Sequence, residues 1–363
     1  MFQRNAAFSA ESVGLSTFIF TADAAMLCLP VLALLVALAI DHFLGEPPVR
    51  FHPVVWIGSY LTWAGEHVQS LSRQALASSD GAIEKEQSDL PAFALGALAW
   101  LWGILLVGAA AFAIEQGLLA WLEPLSLTGL LVAALLLGIV LKPALAWAML
   151  RAEAQAVEHA LSGLPDGSLA RGRERLRFLV SRDVSNLSEL QVRESVIESF
   201  AENLNDSVVA PIFWYMLLGL PGALMYRFAN TADAMWGYPG MYQGRNWRWA
   251  GKWAARADDV LSWFPARITA VLLLLSQDGI PLKRLIKEAS KTPSPNSGWP
   301  MAAMSIALDV RLEKPGVYVL NLSGKSAESD DINHAINLSV RALTLFLVVL
   351  IFFQVLVGLK AML

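Results

Sequence analysis

The chain has 363 residues, of which 56% are hydrophobic and only 16% are charged, and its mean hydropathy is +0.50. Soluble domains carry about 25% charged residues, so the composition excludes an ordinary soluble protein and predicts an all-α, polytopic integral membrane protein. The net charge of −4 excludes a basic surface for nucleic acid, so no nucleic-acid partner is expected.

Four apolar segments have about the 20 residues that a bilayer-spanning helix requires. They are residues 24–44, 92–113, 126–149 and 342–359. Two shorter apolar segments, 208–225 and 266–277, could each span the bilayer, enter it and return, or form a buried helix. Short apolar runs do not separate these alternatives, so we predict four to five membrane helices.

The basic residues predict the orientation of the chain. Most Lys and Arg residues lie between 151 and 330, whereas the connection 114–127 contains none. The positive-inside rule therefore places 151–330, and with it the loop 41–90, in the cytoplasm. This divides the chain into N-terminal membrane helices (1–150), a cytoplasm-facing helical portion (151–330) that includes the two short apolar helices, and a C-terminal membrane helix (331–363).

A row of acidic residues marks one predicted helix. Glu194, Glu198 and Glu202 are four residues apart and Asp206 continues the row, a spacing that places side chains on one helical face. A divalent cation would relieve their repulsion, and Mg²⁺ binds carboxylate oxygens together with substrate phosphates. The alternative is a solvated acidic face balanced by nearby basic residues. Because the row runs directly into apolar sequence, we predict a site with Glu198, Glu202 and Asp206 as metal ligands.

Further polar residues follow in two pairs. Asn230 and Asp233 are three residues apart, as are Arg256 and Asp259, so each pair shares a helical face. Arg267 lies near the predicted start of another helix, and arginine is well shaped to bind phosphate or carboxylate through two hydrogen bonds. The alternative is that these groups serve only as polar contacts between helices.

Two other motifs give weaker evidence of a functional site. His52 follows the first predicted span and could act as an acid or base near neutral pH, although a single histidine at a membrane edge is more often structural. The residues Gly324 to Ser326 resemble the end of a phosphate-binding loop. Val319 stands where that loop requires its first glycine, so a P-loop is excluded.

In their order along the chain, these motifs resemble the CobD/CbiB family of membrane-embedded adenosylcobinamide-phosphate synthases, which act in cobalamin biosynthesis. The resemblance covers about residues 30–360. The motifs that carry it are Asp41 with Leu44 to Pro48, His52 and Pro53, Trp56 to Gly58, Arg182 to Ser185, Glu198, Ala201 to Asp206, Ala210 and Pro211, Asn230 to Tyr238, Ala255 to Asp259, Pro265 to Arg267, and Ser294 to Pro300. The chain departs from the family pattern at Val184, at Ser207, and near Glu313 and Leu320, where expected glycines are largely absent and only Gly316 is nearby. Val184 lacks a hydroxyl group and is given no ligand role.

The resemblance implies an ATP-dependent, Mg²⁺-dependent ligase that joins adenosylcobyric acid to (R)-1-amino-2-propanol or its O-phosphate, giving adenosylcobinamide or its phosphate. It implies catalytic roles for Glu198, Glu202, Asp206 and Asp259. It implies substrate-binding and phosphate-binding roles for His52, Arg182, Asp183, Asn203, Asn230, Asp233, Arg256, Asp258, Arg267 and Asn296. A corrinoid is large and amphipathic, which favours a groove at the membrane surface lined by Trp236, Tyr238, Trp263 and Trp299.

The resemblance also implies a location in the cell (inner) membrane with the catalytic portion facing the cytoplasm. Membrane lipid, the corrinoid, the aminopropanol substrate and other late membrane enzymes of the pathway are the implied partners. Two alternatives belong to other classes of protein. A membrane transporter is disfavoured because the sequence shows no internal repeat. A non-catalytic membrane sensor of the same fold is disfavoured because Glu198, Asp206, Asp233 and Asp259 are all present.

Overall fold

The computed structural model describes residues 22–71, 89–122, 126–163, 167–180, 182–277 and 282–362. Helices dominate these residues, which confirms the all-α prediction. They are α1 (Ala22–Leu44), α2 (Pro53–Leu71), α3 (Leu90–Leu122), α4 (Leu127–Leu141), α5 (Trp147–Ser162), α6 (Leu169–Leu176), α7 (Glu189–Leu204), α8 (Ala210–Trp236), α9 (Lys252–Leu261), α10 (Trp263–Leu275), α11 (Leu282–Ala289), α12 (Gly298–Ala307) and α13 (Ser329–Met362).

Short elements connect some of these helices. The 3₁₀ turns Val49–Phe51 and Lys142–Ala144 precede α2 and α5, and a π-helical turn, Asn205–Val209, joins α7 to α8. Two small antiparallel hairpins pair β1 (Met241–Tyr242) with β2 (Arg245–Asn246) and β3 (Leu312–Lys314) with β4 (Tyr318–Leu320). The predicted loop 41–90 contains α2, and its residues 72–88 lie outside the described residues.

Four helical segments are long and apolar enough to cross a membrane: Leu90–Ala120, Leu127–Ser162, Glu189–Trp236 and Ser329–Val357. They confirm the prediction of a polytopic membrane protein. The predicted first span appears as a shorter apolar helix, Cys28–Leu44. In the most apolar stretch of each segment, only 22% of α3 and 17% of α13 are buried, against 61% of the segment that contains α4 and α5. Helices α3 and α13 therefore present apolar side chains outward, as helices in contact with lipid do.

Small residues let the first and fourth helices pack closely. Ala33 and Ala37 of α1 and Ala133 and Ala134 of α4 are all buried in one core cluster. A side-chain carbon added at Gly138 would lie 2.6 Å from Val36 Cγ1. Close approach through small residues is the usual basis of helix association in membranes.

Helix α3 uses three glycines in the same way against α8 and the segment that follows it. An added side-chain carbon would lie 1.9 Å from the Ala250 carbonyl oxygen at Gly96, 2.4 Å from the Phe228 ring at Gly103 and 2.7 Å from the Met225 sulfur at Gly108. The later a glycine lies along α3, the earlier in the sequence is the residue that it contacts. The later part of α8 therefore runs antiparallel to α3.

Gly219 divides α8 into two legs. Its φ of +67° and ψ of −156° are not helical, and glycine adopts such angles with little strain. The Glu115 carboxylate of α3 accepts a 3.1 Å hydrogen bond from the Leu220 N–H, where the second leg begins. The chain reverses here, since Tyr226 and Arg227 of the second leg contact Asp206, which precedes the first leg. Segment 208–225 is thus one side and the turn of a helical hairpin.

The other short apolar segment forms α10, which has 13 residues. At a rise of about 1.5 Å per residue it is about 20 Å long, too short to cross a bilayer core of about 30 Å. Thr269, Ala270 and Leu273 are buried, and α10 packs against α12, α13 and the π-helical turn. Segment 266–277 is therefore largely a buried helix, and it helps to fix the position of Asn205.

Candidate functional site

The acidic row predicted from spacing begins on α7. A capping box starts this helix: the Ser188 side chain accepts from the Gln191 N–H, and the Gln191 side chain accepts from the Ser188 N–H. Glu198 lies on the buried side of α7, and Asp206 lies in the π-helical turn that follows. A π turn holds one extra residue and rotates the residues after it. Asp206 therefore lies where the regular spacing of α7 ends, and it still interacts electrostatically with Glu202.

Glu198 is held by two residues from other parts of the chain. Tyr318 of β4 donates a 2.7 Å hydrogen bond to Glu198 Oε1, and Arg182 Nη2 lies 3.6 Å from Glu198 Oε2. Arg182 also donates to the Ser195 hydroxyl. Glu198 Oε2 and the Arg182 Nε and Nη1 atoms are buried without a hydrogen-bond partner among the described residues. The structure thus brings together Arg182 and Glu198, two separately predicted site residues, and both have hydrogen-bonding atoms without partners among the described residues.

The β3–β4 hairpin lies over the rest of the row. Glu194 is fully buried, with Arg311 Nε 4.0 Å from its Oε1 atom. Glu202 interacts electrostatically with Lys314 of β3 and with Asp206 and Glu198. The hairpin therefore supplies cations beside a row that consists otherwise of carboxylates.

Asp206 is the point at which three elements meet. Its Oδ1 accepts from Asn205 Nδ2 at 2.7 Å and lies 3.5 Å from the Tyr226 hydroxyl. Arg227 Nη1 donates to the Asp206 carbonyl at 3.1 Å. Asn230, one turn further along the second leg, also interacts with Asp206. The helical hairpin thus places the polar side chains of its second leg against the π turn.

Asp258 of α9 joins this cluster. Asn230 Nδ2 lies 3.5 Å from its Oδ1 and the Ser262 hydroxyl 3.4 Å from its Oδ2. Burial, and then the charges of Asp206 and Asp233, hold the pKa of Asp258 well above its usual range. Burial also raises the pKa of Asp259. Asp206, Asn230, Asp233 and Asp258 therefore come together as predicted, in surroundings that oppose the ionised form of Asp258.

Replacing Asp258 with Asn is expected to make the protein more stable. The raised pKa means that the folded protein binds a proton at Asp258 more tightly than the unfolded chain does. Ionising this group therefore costs folding free energy as pH rises from the usual aspartate pKa to the raised one. The gain is expected to be absent at low pH and complete above the raised pKa. It should be on the order of 1–2 kcal/mol, or a few degrees in Tm.

Thermal unfolding in detergent at several pH values measures this effect. Asp183→Asn is the matched control, because Asp183 is exposed and its pKa is lowered by hydrogen bonds from Ser185. That control should show no gain as pH rises. A Tm for Asp258→Asn that stays at or below the wild-type Tm over the whole pH range would contradict the prediction.

Arg267 is held in a fixed orientation. Its guanidinium carbon lies 4.3 Å from the Trp263 ring centre and 4.6 Å from that of Trp299. Its Nη1 donates to Asn296 Oδ1 at 2.7 Å, and Asn296 Nδ2 donates to the Asp259 carbonyl at 2.7 Å. Arg267, Asn296 and Asp259, all predicted site residues, are therefore brought together by the loop before α12.

Other predicted residues do not join these groups. Arg256 is exposed on α9. Asp183 accepts from both the N–H and the hydroxyl of Ser185 in an exposed turn. Asn203 donates to the Ser199 carbonyl and hydroxyl, on the face of α7 next to the acidic row. The contacts of Asp183 favour a structural role, whereas Asn203 has a hydrogen-bonding atom to spare.

His52 also has structural contacts. Its Nδ1 accepts from the Val54 N–H at 3.2 Å, and its Nε2 lies 3.1 Å from Glu46 Oε2. Because Nδ1 accepts, Nε2 carries the proton and donates to Glu46. These contacts fix the beginning of α2 and favour the structural alternative for His52.

Sequence reasoning missed a buried ionic cluster beside His52. Lys142 Nζ lies 2.6 Å from Glu46 Oε2 and 3.3 Å from Asp41 Oδ1, and the Lys142 side chain is only 3% exposed. Asp41 Oδ2 accepts from the Ala148 N–H at the start of α5. Glu46 in turn interacts electrostatically with Arg227. Asp41 and Lys142 each lie within a predicted span, and this could have indicated the cluster. Ionisable residues within a span are costly unless they are paired or functional.

The aromatic residues predicted to line one groove have separate roles. Trp236 is 1% exposed and stacks on Trp247, with ring centres 5.6 Å apart. It borders a cavity of 380 Å³ with Tyr242 and Arg245. Trp263 and Trp299 instead hold Arg267, as described above. The Trp236 indole therefore packs in the core between α2 and α8, and the groove that these aromatic residues would line stays a prediction.

The site has no preassembled metal centre. Within the described ranges, no three His, Cys, Asp or Glu side chains are grouped so that they could hold a metal ion by themselves. Glu198, Glu202 and Asp206 stay a predicted ligand set. They fit an ion that takes one or two carboxylates and completes its shell with phosphates and water, as Mg²⁺ does.

Known proteins resemble this chain over most of its length. The family model described as CobD/Cbib protein matches residues 34–345. A probable cobalamin biosynthesis protein CobD from Methanothermobacter thermautotrophicus is 38% identical over 322 residues, which are 86% of this chain and 94% of that relative. The cobalamin biosynthesis protein CobD of Halalkalibacterium halodurans is 33% identical over 342 residues, 90% of this chain and 97% of the relative. No solved structure matches the chain significantly.

Proposed function

The chain belongs to the CobD/CbiB family, and on that premise we propose that it is an ATP-dependent ligase that forms an amide bond between adenosylcobyric acid and (R)-1-amino-2-propanol or its O-phosphate. Family membership makes it a multi-pass membrane protein and a biosynthetic enzyme of the cobalamin pathway. The relatives are matched over nearly their whole length, so the chain contains the parts that they share.

The proposed reaction has two steps. A carboxylate is a poor electrophile, so ATP first transfers its γ-phosphoryl group to the corrinoid carboxylate, giving an acyl phosphate and ADP. The neutral amine then attacks the acyl carbon, phosphate leaves, and the amine loses one proton. The protein must therefore bind phosphates, position a carboxylate and accept a proton.

The observation that best supports this proposal is the convergence of Asp206, Asn230 and Asp258 from the π turn, α8 and α9. Carboxylate and amide side chains from three separate elements come together here, and the cluster contains fewer cations than carboxylates. Such groupings are costly for folding alone and are typical of functional sites. A carboxylate of this cluster, or Asp259 beside it, can accept the proton that the amine loses.

One or two carboxylates of the predicted set Glu198, Glu202 and Asp206 would hold Mg²⁺, with phosphates and water completing its shell. The buried Glu198 Oε2 atom lacks a hydrogen-bond partner among the described residues, and carboxylate oxygens are the donors that Mg²⁺ prefers. When bound, the ion neutralises negative charge on the phosphoryl group that is transferred. Their positions on α7 and the π turn would keep these carboxylates next to the nucleotide phosphates.

Arg182 and Arg267 would bind phosphate groups. Among the residues that the structure describes, the buried Nε and Nη1 atoms of Arg182 have no hydrogen-bond partner. Arg267 is fixed by two indole rings and by Asn296, so little side-chain entropy is lost when it binds an anion. Catalysis of phosphoryl transfer depends mostly on such positioning and on electrostatics.

We further propose that the protein lies in the cell (inner) membrane with this site open to the cytoplasm, because most of its Lys and Arg residues lie between 151 and 330. ATP and the corrinoid would then reach the site from the cytoplasm. Membrane lipid, and other late enzymes of the pathway within the same membrane, are the partners that this location favours.

One assay tests the proposed function. Purified full-length protein in detergent is incubated with ATP, Mg²⁺, adenosylcobyric acid and either aminopropanol or its O-phosphate, and the products are resolved by mass spectrometry. We expect an amide product with ADP and phosphate released in equal amounts. Folded protein that forms no amide with either amine would overturn the proposal and leave the transporter or sensor alternatives. Omitting the amine is the control.

A further inference from the structure

A stripe of side chains on α9 and the start of α10 has no role in the mechanism above. Lys252, Arg256, Val260 and Phe264 follow one another at intervals of four residues, a spacing that places side chains on one helical face. Ser262, between the two helices, also has helical backbone angles. Arg256 is exposed, and Val260 and Phe264 are 72% and 62% exposed. These four residues, the α9 stripe, are therefore basic at one end and apolar at the other.

The basic end of the α9 stripe lies beside the start of α3, a helix that presents apolar side chains outward. Gly96 of α3 packs against the Ala250 carbonyl. The Trp253 ring centre lies 6.5 Å from that of Phe93 and 6.0 Å from that of Trp100. The apolar part of α3 has 31 residues, about 46 Å, whereas a bilayer core is about 30 Å thick. The first turns of α3, and the cations beside them, therefore reach the lipid headgroups.

The apolar end of the α9 stripe lies deeper in the membrane. Asp258, near the end of α9, contacts Asn230 of α8. Phe228, two residues before Asn230, packs against Gly103 of α3. Gly103 is seven residues after Gly96, which is about 10 Å further along the helix. Helix α9 therefore runs from the level of the headgroups toward the level of the acyl chains.

The cations of the α9 stripe are not neutralised by neighbouring carboxylates that the structure describes. Lys252 Nζ lies 3.8 Å from the centre of the Trp249 ring, a contact that leaves its charge in place. Arg256 has no ion pair with any described residue, and this includes Asp259, three residues later. Residues 239–257 contain no Asp or Glu. The basic end of the stripe can therefore accept an anion.

We propose that the α9 stripe binds an anionic phospholipid. Lys252 and Arg256 would bind its headgroup phosphate, because cations at a membrane surface attract anionic lipids. Val260 and Phe264 would contact one acyl chain. The site gives a binding role to Arg256, which does not join the groups of the candidate site, and it does not depend on the proposed reaction.

Native mass spectrometry of the full-length protein in neutral detergent tests the inference. The protein is mixed with phosphatidylglycerol or with phosphatidylcholine of the same acyl chains, and the lipid molecules that it retains are counted. We expect phosphatidylglycerol to be retained at a concentration about tenfold lower. Lys252→Gln combined with Arg256→Gln should abolish this preference and leave phosphatidylcholine retention unchanged. Equal retention of both lipids by the wild type, or an unchanged preference in this variant, would overturn the inference.

Lys283→Gln combined with Lys287→Gln is the matched control. These two lysines are also exposed and four residues apart, but they lie on α11. This control should keep the wild-type preference. An equal loss in the control would overturn the inference, because lipid selection would then follow the total charge of the protein. Lys252→Arg combined with Arg256→Lys keeps both charges and should also keep the preference, and its loss there would show that packing rather than charge is responsible.

A soluble phosphate distinguishes a lipid site from a general phosphate site. Glycerol 3-phosphate has the phosphate but no acyl chains, and it should not displace phosphatidylglycerol at an equal concentration. Displacement at that concentration would overturn the assignment to lipid. Val260→Ser combined with Phe264→Ser should weaken retention of both lipids by a similar factor, and unchanged retention would overturn the acyl-chain contact.

Thermal unfolding provides a second measurement. A ligand that binds only the folded protein raises its Tm. Phosphatidylglycerol should therefore raise the Tm of the wild type more than that of the variant that lacks both cations. The Tm of each variant without lipid shows that it is folded. An equal rise in the two proteins would contradict a role for Lys252 and Arg256.

Discussion

Asp206→Asn is expected to lower the rate of amide formation by about 1,000-fold while the protein stays folded. Loss of a positioned general base costs about 10²–10⁴ in rate, and loss of a metal ligand has effects of similar size. Asparagine has nearly the same shape and can still bond to Asn205 and Asn230. Removing one charge from a cluster that includes Asp233 and Asp258 also relieves repulsion, so unfolding cannot explain the loss.

Rate measurements at varied Mg²⁺ concentration and pH distinguish the two roles of Asp206. If it binds the metal, the variant needs more Mg²⁺ for half-maximal activity. If it is the base, the Mg²⁺ requirement stays the same and the dependence of kcat on pH changes. Asp330→Asn, an exposed position on α13, is the control and should be fully active. Full activity of Asp206→Asn would show that both proposed roles are wrong, even if the protein is a ligase.

The helical class, three of the four predicted long apolar helices and the shared face of part of the acidic row could be predicted from the sequence. Hydrophobic length determines which segments can span a membrane, and spacing by four places Glu198 and Glu202 on one face of α7. The π turn could not be predicted, because one extra residue in a turn leaves no compositional signal. Asp206 lies within this turn, where its side chain meets Asn205 and Tyr226.

The sequence contains a partial signal for the reversal of the chain at Gly219. Gly219 is followed by Pro221, and both lie within segment 208–225, where three alternatives stayed open. The choice between them depends on Glu115, which is more than 100 residues away and satisfies the Leu220 N–H. Tyr318 likewise reaches Glu198 from a distant hairpin. Local sequence patterns do not contain contacts of this kind.

Arg227 shows how the buried ionic cluster relates to the site. It donates to the Asp206 carbonyl and the Ser207 hydroxyl, and it interacts electrostatically with Glu46. Glu46 is fixed by Lys142 and His52. The ends of α1 and α4 are thereby linked to the π turn. The family motif that begins at Asp41 and includes Glu46 and His52 therefore contributes to the arrangement of the site through Arg227.

Lys142→Met is expected to lower the free energy of unfolding by about 3–5 kcal/mol, because removing one partner of a buried ion pair leaves an uncompensated buried charge. Here two carboxylates, Asp41 and Glu46, would lose their cation. Thermal unfolding in detergent measures the loss. Arg245→Met is the control, since Arg245 pairs with Glu66 at an exposed position, where such pairs contribute about 1 kcal/mol or less.

A second substitution shows whether charge is the cause. Lys142→Met combined with Glu46→Gln removes one of the uncompensated carboxylates and should recover part of the lost stability. If the double variant melts at the temperature of Lys142→Met alone, or if Lys142→Met melts like the wild type, the cluster does not have the energetic role assigned to it. Amide formation by the double variant should stay below the wild-type rate, because Arg227 then lacks the charge of Glu46. Recovery of stability without recovery of activity would show that the cluster positions the site as well as stabilising the fold.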